Sequence, residues 1–246
     1  MPLTCKTLFL CYAAVAPFSM CASINIDVDA VQKSVVFLYA ADAKGAVDPA
    51  KPVGTGFLVE VPLASDPKHA YRVLVTARHV FDPEWAGCSQ NDPDVIYARL
   101  NKKSYNPESD ATGVDFVRLE LTSEGNPLWR HHKDAHIDAA VLLLKISLDA
   151  FDTASIPIAL VPTEQELSSQ SIGDPIMSAG LMPALARSRR NYPIFKFGQI
   201  SNIPHEDIET SCAPDRPKFL VKVWLVAANL VPGNSGSPYA SEELQG

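Results

Sequence analysis

Positive charge is scarce in this chain. Lys and Arg number 21 against 28 Asp and Glu, a net charge of −7, which disfavours nucleic acid and anionic membrane surfaces as main partners, because both bind basic patches. No apolar run reaches the roughly 18 residues of a membrane span, and no long segment has the apolar period of 3.6 residues that predicts helix. The chain nevertheless has 246 residues, of which 47% are hydrophobic, so it can bury a core in one large or two smaller units.

The first 22 residues predict a signal peptide. Lys6 is their only charge, an apolar run covers Leu8–Ala16, and small residues follow near 21–23, which is where cleavage is expected. The mature protein is therefore expected to be secreted or periplasmic. A lipid anchor at Cys21 and a buried N-terminal segment are the alternatives.

Cysteine is rare in the remaining chain. Once residues 1–22 are removed, only Cys88 and Cys212 remain of the five cysteines. An exported protein could join them in one disulfide, but two cysteines do not make a framework. The sequence leaves their pairing open.

Beyond residue 30 the sequence predicts short strands with polar, Pro-containing connections. Each apolar run is rich in β-branched or aromatic residues and has the length of a strand. The predicted strands are Ser34–Ala40, Gly54–Val61, Tyr71–Thr76, Val95–Leu100, Phe116–Leu121, Ala139–Leu144, Pro175–Ala179, Ile194–Ser201, Phe219–Leu225 and Ser235–Ala240. We expect an all-β protein with two antiparallel barrels in tandem, over 30–146 and 172–246, connected by 147–171.

A Gly-flanked serine lies near the end of the chain, in Gly233-Asn234-Ser235-Gly236-Ser237-Pro238. Such a turn can expose the Ser235 hydroxyl while nearby backbone N–H groups converge where a tetrahedral intermediate develops negative charge. The pattern is not the G-x-S-x-G elbow of α/β-hydrolases, because Ser237 stands where that motif has glycine. Alone, the motif is most often structural.

Two further motifs lie at strand ends. His79 follows the strand Tyr71–Thr76, and an imidazole there could serve as a general base near neutral pH. Asp138 opens the strand Ala139–Leu144, and its carboxylate could orient an imidazole. Each residue is ordinary by itself, but the order His79, Asp138, Ser235 is a recognisable combination.

With these motifs the chain resembles the trypsin-like, chymotrypsin-fold serine peptidases, in particular the bacterial branch that includes the HtrA/Deg proteins. The resemblance extends from about residue 34 onward, and two further motifs, Gly54-Thr55-Gly56-Phe57 and Gly198-Gln199-Ile200-Ser201, also carry it. It implies two six-stranded barrels, with His79 as base, Asp138 as its orienting residue and Ser235 as nucleophile. The amides of Gly233 and Ser235 would form the oxyanion hole, and Asn229 would lie near the base of the S1 pocket.

The chain also departs from the family pattern. Ser237 replaces a glycine, a change expected to leave the turn intact, and Arg78 precedes the histidine where a small or polar residue is usual. Only four strands are predicted after the connection, and only 11 residues follow Ser235. The expectation is therefore a second barrel that lacks its last strands.

Two other site interpretations compete with this one. His131, His132, Asp134 and His136 cluster in sequence, but their spacing matches no familiar zinc motif, so a solvated loop and no metal are expected. Asp82, three residues after His79, could rival Asp138, although a local capping role suits its Phe-Asp-Pro context better.

The resulting expectation is a secreted serine endopeptidase that acts on protein or peptide substrates and needs no cofactor. A non-catalytic member of the fold, or one made inactive by truncation of its last strands, acting as a binding or regulatory protein, is the alternative, and a metal-dependent hydrolase is a weaker one. Substrate preference and oligomeric state are not determined by the sequence.

Overall fold

Antiparallel β-structure dominates the computed structural model, which describes residues 27–182, 185, 189–229 and 233–241. The signal peptide expected over 1–22 lies outside these residues. The strands are β1 (Val35–Ala41), β2 (Val47–Leu63), β3 (Asp66–Thr76), β4 (Val95–Asn101), β5 (Val114–Glu120), β6 (Thr122–Ser123), β7 (Asn126–Pro127), β8 (Trp129–His131), β9 (Ala140–Leu143), β10 (Ile156–Pro157), β11 (Pro175–Gly180), β12 (Ile194–Asn202), β13 (Ile208–Thr210), β14 (Phe219–Val221), β15 (Leu225–Ala228) and β16 (Tyr239–Ser241).

Helix is sparse, as the missing 3.6-residue period predicts. The helices are α1 (Val28–Ser34), α2 (Arg78–Phe81) and α3 (Glu164–Ser168), with one 3₁₀ turn at Ile158–Leu160. Asp27 caps α1 by accepting hydrogen bonds from the backbone amides of Asp29 and Ala30. Among the described residues, no helix is long and apolar enough to cross a membrane.

The first sheet contains eight strands in the order β5-β4-β1-β2-β3-β9-β8, with β10 parallel to β2. Alternate side chains of its strands point to one face and bury a continuous core, which follows from the two-residue period of a strand. Val36, Leu38, Leu58, Leu74 and Leu142 are among the residues of that core. Within this sheet, β3 leads into α2, and β9 is preceded by the segment that carries Asp138.

The second sheet contains four strands in the order β15-β12-β11-β16. It packs against the other face of β1, where Val35, Phe37 and Tyr39 contact Ala179 and Leu181. Strand β1 is thus buried on both faces, which explains why its sequence is apolar without alternation. Two hairpins, β6–β7 and β13–β14, lie outside both sheets.

The all-β class expected from the sequence is confirmed, and most predicted strands recur within a few residues. Three predictions were wrong in detail. Six strands, β11 to β16, follow the connection among the described residues, where the sequence predicted four. Phe219–Leu225 is not one strand, because β14 pairs with β13 whereas β15 pairs with β12. Residues 235–238 form a turn before β16 rather than part of a strand. In the described part of the chain both sheets have open strand orders, and closure into six-stranded barrels stays a prediction.

Cys88 and Cys212 form a disulfide across 124 residues of sequence, with their Cα atoms 5.3 Å apart, a normal separation for a disulfide. The bridge joins the loop that follows α2 to the β13–β14 hairpin. The pairing left open by the sequence is thereby resolved.

Candidate active site

The geometry of the first sheet explains how His79 and Asp138 meet. Strand β3 ends at Thr76, two residues before α2 begins, and β9 begins at Ala140, two residues after Asp138. The two strands are antiparallel, and Thr76 lies opposite Ala140. The segment leaving β3 and the segment entering β9 therefore lie side by side at the same end of these two paired strands.

Asp138 holds His79 at two points. The His79 backbone amide donates to Asp138 Oδ1 at 2.9 Å, and His79 Nδ1 lies 2.6 Å from Asp138 Oδ2. An ionised carboxylate can only accept hydrogen bonds, so Nδ1 carries the proton of this pair. In the neutral imidazole, Nε2 is then left as the basic nitrogen, the tautomer that a general base requires.

The Asp138 carboxylate stays ionised although it is largely buried. Burial raises the pKa of an acid, but the hydrogen bond and charge of His79 and the backbone amides of Arg78 and His79 act in the opposite direction and outweigh it. The pKa of Asp138 is consequently lowered, and the group is a permanent acceptor at neutral pH.

Ser235 lies on the turn between β15 and β16, and this turn is fastened to the first sheet. The Thr55 amide donates to the Ser235 carbonyl at 2.8 Å, and the Thr55 hydroxyl donates to the Gly233 carbonyl at 2.7 Å. The same hydroxyl accepts from the Leu181 amide at 3.2 Å. Thr55 itself is fully buried, so it connects the serine turn and the second sheet to β2.

Two glycines let the serine turn approach α2 closely. A Cβ at Gly54 would lie 3.0 Å from both the Ser235 carbonyl oxygen and Val80 Cγ2, and Val80 is the residue after His79. Gly236 has a φ of 81°, and a Cβ there would lie 2.8 Å from the Ala77 amide nitrogen. Ser235 is thereby held next to the segment that carries His79.

The described side chains of Ser235, His79 and Asp138 do not form a continuous series of hydrogen bonds. In the described part of the protein, no hydrogen bond joins the Ser235 hydroxyl to His79, whereas the His79–Asp138 contact is short. Catalytic hydrogen bonds are often long before substrate binds. The assignment of all three residues as a triad therefore stays a prediction.

The residues around Ser235 form a closed turn. The Ser237 amide donates to the Asn234 carbonyl at 2.9 Å, so the turn forms with a serine at position 237. Lys196 Nζ donates to Asn234 Oδ1 at 2.7 Å, and burial lowers the pKa of this lysine. Gly233 has a φ of 94°. The role of the Gly233 and Ser235 amides as an oxyanion hole stays a prediction.

Other candidate residues lie elsewhere. Asn229 directly follows β15 and is exposed, and its place near an S1 pocket is untested. Asp82 bonds with Arg78, Nε to Oδ2 at 2.8 Å, and accepts from the Trp85 amide at 3.0 Å, so it does not orient His79.

The histidine-rich loop uses its polar atoms in other contacts. His136 pairs with Asp207, and Asp134 pairs with Lys222. His131 Nδ1 contacts the His132 carbonyl at 2.7 Å. The described residues contain no group of three or more His, Cys, Asp or Glu side chains placed to hold a metal ion.

Sequence reasoning gave no role to Thr55 or Lys196. Thr55 lies inside the Gly54-Thr55-Gly56 motif. A hydroxyl-bearing side chain between two glycines is the feature that could have indicated its role. Lys196 gave no signal, because an isolated lysine in a strand normally faces solvent.

No protein-family model matches the chain, and no curated protein is similar to it. Among solved structures, the chain is similar to the thermostable serine protease AL20 from an extremophilic microorganism, at 16% identity and a TM-score of 0.42, over 87% of this chain and 81% of that one. A likeness at this level assigns no activity.

Proposed function

We propose that the protein is a serine endopeptidase that cleaves peptide bonds through an acyl-enzyme. The observation that carries this proposal is the two-point hold of Asp138 on His79, with the basic Nε2 left free of that carboxylate. The serine turn is fastened beside the same segment through Thr55. Nucleophile, base and orienting carboxylate are the parts that acyl transfer needs.

In the proposed reaction, Ser235 Oγ attacks the peptide carbonyl carbon while His79 Nε2 takes the hydroxyl proton. The resulting oxyanion is stabilised by the amides of Gly233 and Ser235. His79 then gives its proton to the leaving amine as the C–N bond breaks, and the acyl group remains on Ser235. A water oxygen then attacks the acyl carbon while His79 Nε2 takes the water proton, and the C–Oγ bond breaks as His79 returns that proton to Ser235 Oγ and the acid leaves.

The proposed substrates are proteins or peptides, with Asn229 near the side chain that precedes the cleaved bond. We propose that residues 1–22 direct export, so that the mature protein lies outside the cytoplasm. The Cys88–Cys212 disulfide supports an oxidising compartment, since such bonds persist mainly there.

A non-catalytic binding protein is the second candidate. The missing hydrogen bond between the Ser235 hydroxyl and His79, within the part of the chain that the structure describes, favours it.

A fluorophosphonate probe separates the two candidates. The full chain should gain one probe adduct on Ser235, located by peptide mass spectrometry, and should hydrolyse casein. Ser235→Ala and His79→Ala should each lose activity by roughly 10⁵-fold or more, and the double variant should lose no more than either, because the residues act as a unit.

Ser237→Ala is the matched control, because this serine lies two residues away on the same turn. It should keep its labelling at Ser235. Full casein hydrolysis by Ser235→Ala would refute the peptidase assignment, and absence of both labelling and hydrolysis in the folded wild type would favour the binding protein.

A further inference from the structure

Residues 203–222, named here the strap, contain the β13–β14 hairpin and pair with neither sheet. The strap connects β12 to β15 in the second sheet. It contacts two loops of the first sheet, the one after His79 and the one before Asp138. These two loops are not held by strand pairing.

The strap is attached to the loop after His79 by a covalent bond and by aromatic rings. Cys212 is bonded to Cys88, and the ring of Phe219 meets that of Trp85 edge-on at 5.1 Å. The Arg78 guanidinium also lies over the Trp85 ring, 4.5 Å from its centre. Because Arg78 directly precedes His79, these stacked side chains connect the strap to the residue that is proposed as the general base.

Polar contacts attach the strap to the loop before Asp138. His136 Nδ1 lies 2.5 Å from Asp207 Oδ2, and Lys222 Nζ pairs with Asp134. The Lys222 amide also donates to the His136 carbonyl at 2.8 Å. His136 and Asp138 are two residues apart, so the strap limits how far the orienting carboxylate can move.

We infer that the strap is a positioning element that holds His79 and Asp138 in register, and that the Cys88–Cys212 bond makes this positioning dependent on redox state. The inference rests on the proposed function for its kinetic consequence. The α2 helix has only four residues, too few to hold a loop by itself. Because the strap is attached to both loops, it keeps the His79 imidazole and the Asp138 carboxylate aligned when His79 accepts a proton.

The redox step is a thiol–disulfide exchange. A dithiol reductant transfers two electrons and two protons, the Cys88–Cys212 bond breaks into two thiols, and the reductant closes into its own disulfide. The strap then keeps only its aromatic and polar contacts, and the loop after His79 gains freedom.

The test compares the oxidised full-length protein with the same protein reduced by dithiothreitol, and with Cys88→Ser/Cys212→Ser. For a peptide ester, kcat should fall by about 10- to 100-fold, the cost of a misplacement on the order of 1 Å, while KM changes less than threefold. The low-field proton resonance of the His79 Nδ1–H···Asp138 bond should broaden or vanish. That resonance needs no turnover, so the inference can be judged even if the peptidase proposal fails.

Variants with the disulfide intact guard against general unfolding. Lys222→Met and Asp207→Asn remove strap contacts with the Asp138 loop and should each weaken the resonance and lower kcat. Lys218→Met is the matched control, because its partner Glu209 lies within the hairpin, at 2.6 Å, and it should change neither. An unchanged resonance and kcat in the reduced protein, Lys222→Met and Asp207→Asn would overturn the inference, and so would equal losses in Lys218→Met.

Discussion

The two sheets differ in how they hold the candidate site. The first has a continuous apolar core and several central strands, and its ladder between β3 and β9 places His79 beside Asp138. The second has four strands, and its serine turn is fastened both across to Thr55 in the first sheet and to Lys196 in its own sheet. Strand pairing therefore brings the segments that carry His79 and Asp138 together, whereas the serine turn depends on side-chain contacts with Thr55 and Lys196.

This difference predicts where the site is robust and where it is fragile. Changes in the first sheet should alter stability or the His79–Asp138 pair directly. Changes at Thr55 should disturb Ser235 without unfolding the first core. Peripheral changes in the second sheet should matter least.

Asp138→Asn should have the largest effect. An amide can donate to Nδ1 and favour the wrong imidazole tautomer, so kcat should fall by roughly 10⁴-fold while the fold persists. Asp82→Asn is the control, because its carboxylate pairs with Arg78, and it should change kcat by less than about tenfold. Ester hydrolysis measured for both variants decides, and similar losses would show that Asp138 has no special role.

Leu74→Ala tests the core of the first sheet. Leu74 is 1% exposed, and its truncation should lower the free energy of unfolding by about 2–5 kcal/mol. Leu225 on the edge strand β15 is 45% exposed, and Leu225→Ala should cost less than about 1 kcal/mol. Urea unfolding measures both, and equal costs would contradict the difference in burial between these two positions.

Thr55→Ala tests the connection between the sheets. It leaves the Gly233 carbonyl and the Leu181 amide without their partner, at a cost of about 1–3 kcal/mol, and should slow labelling of Ser235. Thr55→Ser keeps the hydroxyl and should behave nearly as the wild type. If both variants lose labelling equally, the hydroxyl does not hold the turn.

The smallest predicted effect is that of acid on the contribution of Asp138 to the free energy of unfolding. The pKa of Asp138 is lowered in the folded state, so its stabilising effect is complete above the unfolded value of about 3.9. The effect is lost as pH falls through the lower folded pKa. The difference in unfolding free energy between the wild type and Asp138→Asn should therefore shrink as the pH falls below about 4. A difference that grows below that pH would reverse the assigned sign.

Local patterns were sufficient for much of the fold. Runs such as Ser34–Ala40 and Ile194–Ser201 have the composition and length of strands, and β1 and β12 lie there. The sequence failed where pairing partners decide, as in Phe219–Leu225, which divides between a hairpin and an edge strand. An apolar run carries no mark of which neighbour it will pair with.

By itself the sequence determined the β-rich class and the residue types of the candidate site, because strand periodicity and the chemistry of His79, Asp138 and Ser235 are local properties. The tertiary structure alone decided that Asp138 rather than Asp82 holds His79, that Cys88 bonds to Cys212, and that Thr55 anchors the serine turn. Each of these is a contact between residues distant in sequence or a choice between equivalent groups. Such choices depend on how strands are ordered in space, which no short pattern in the chain specifies.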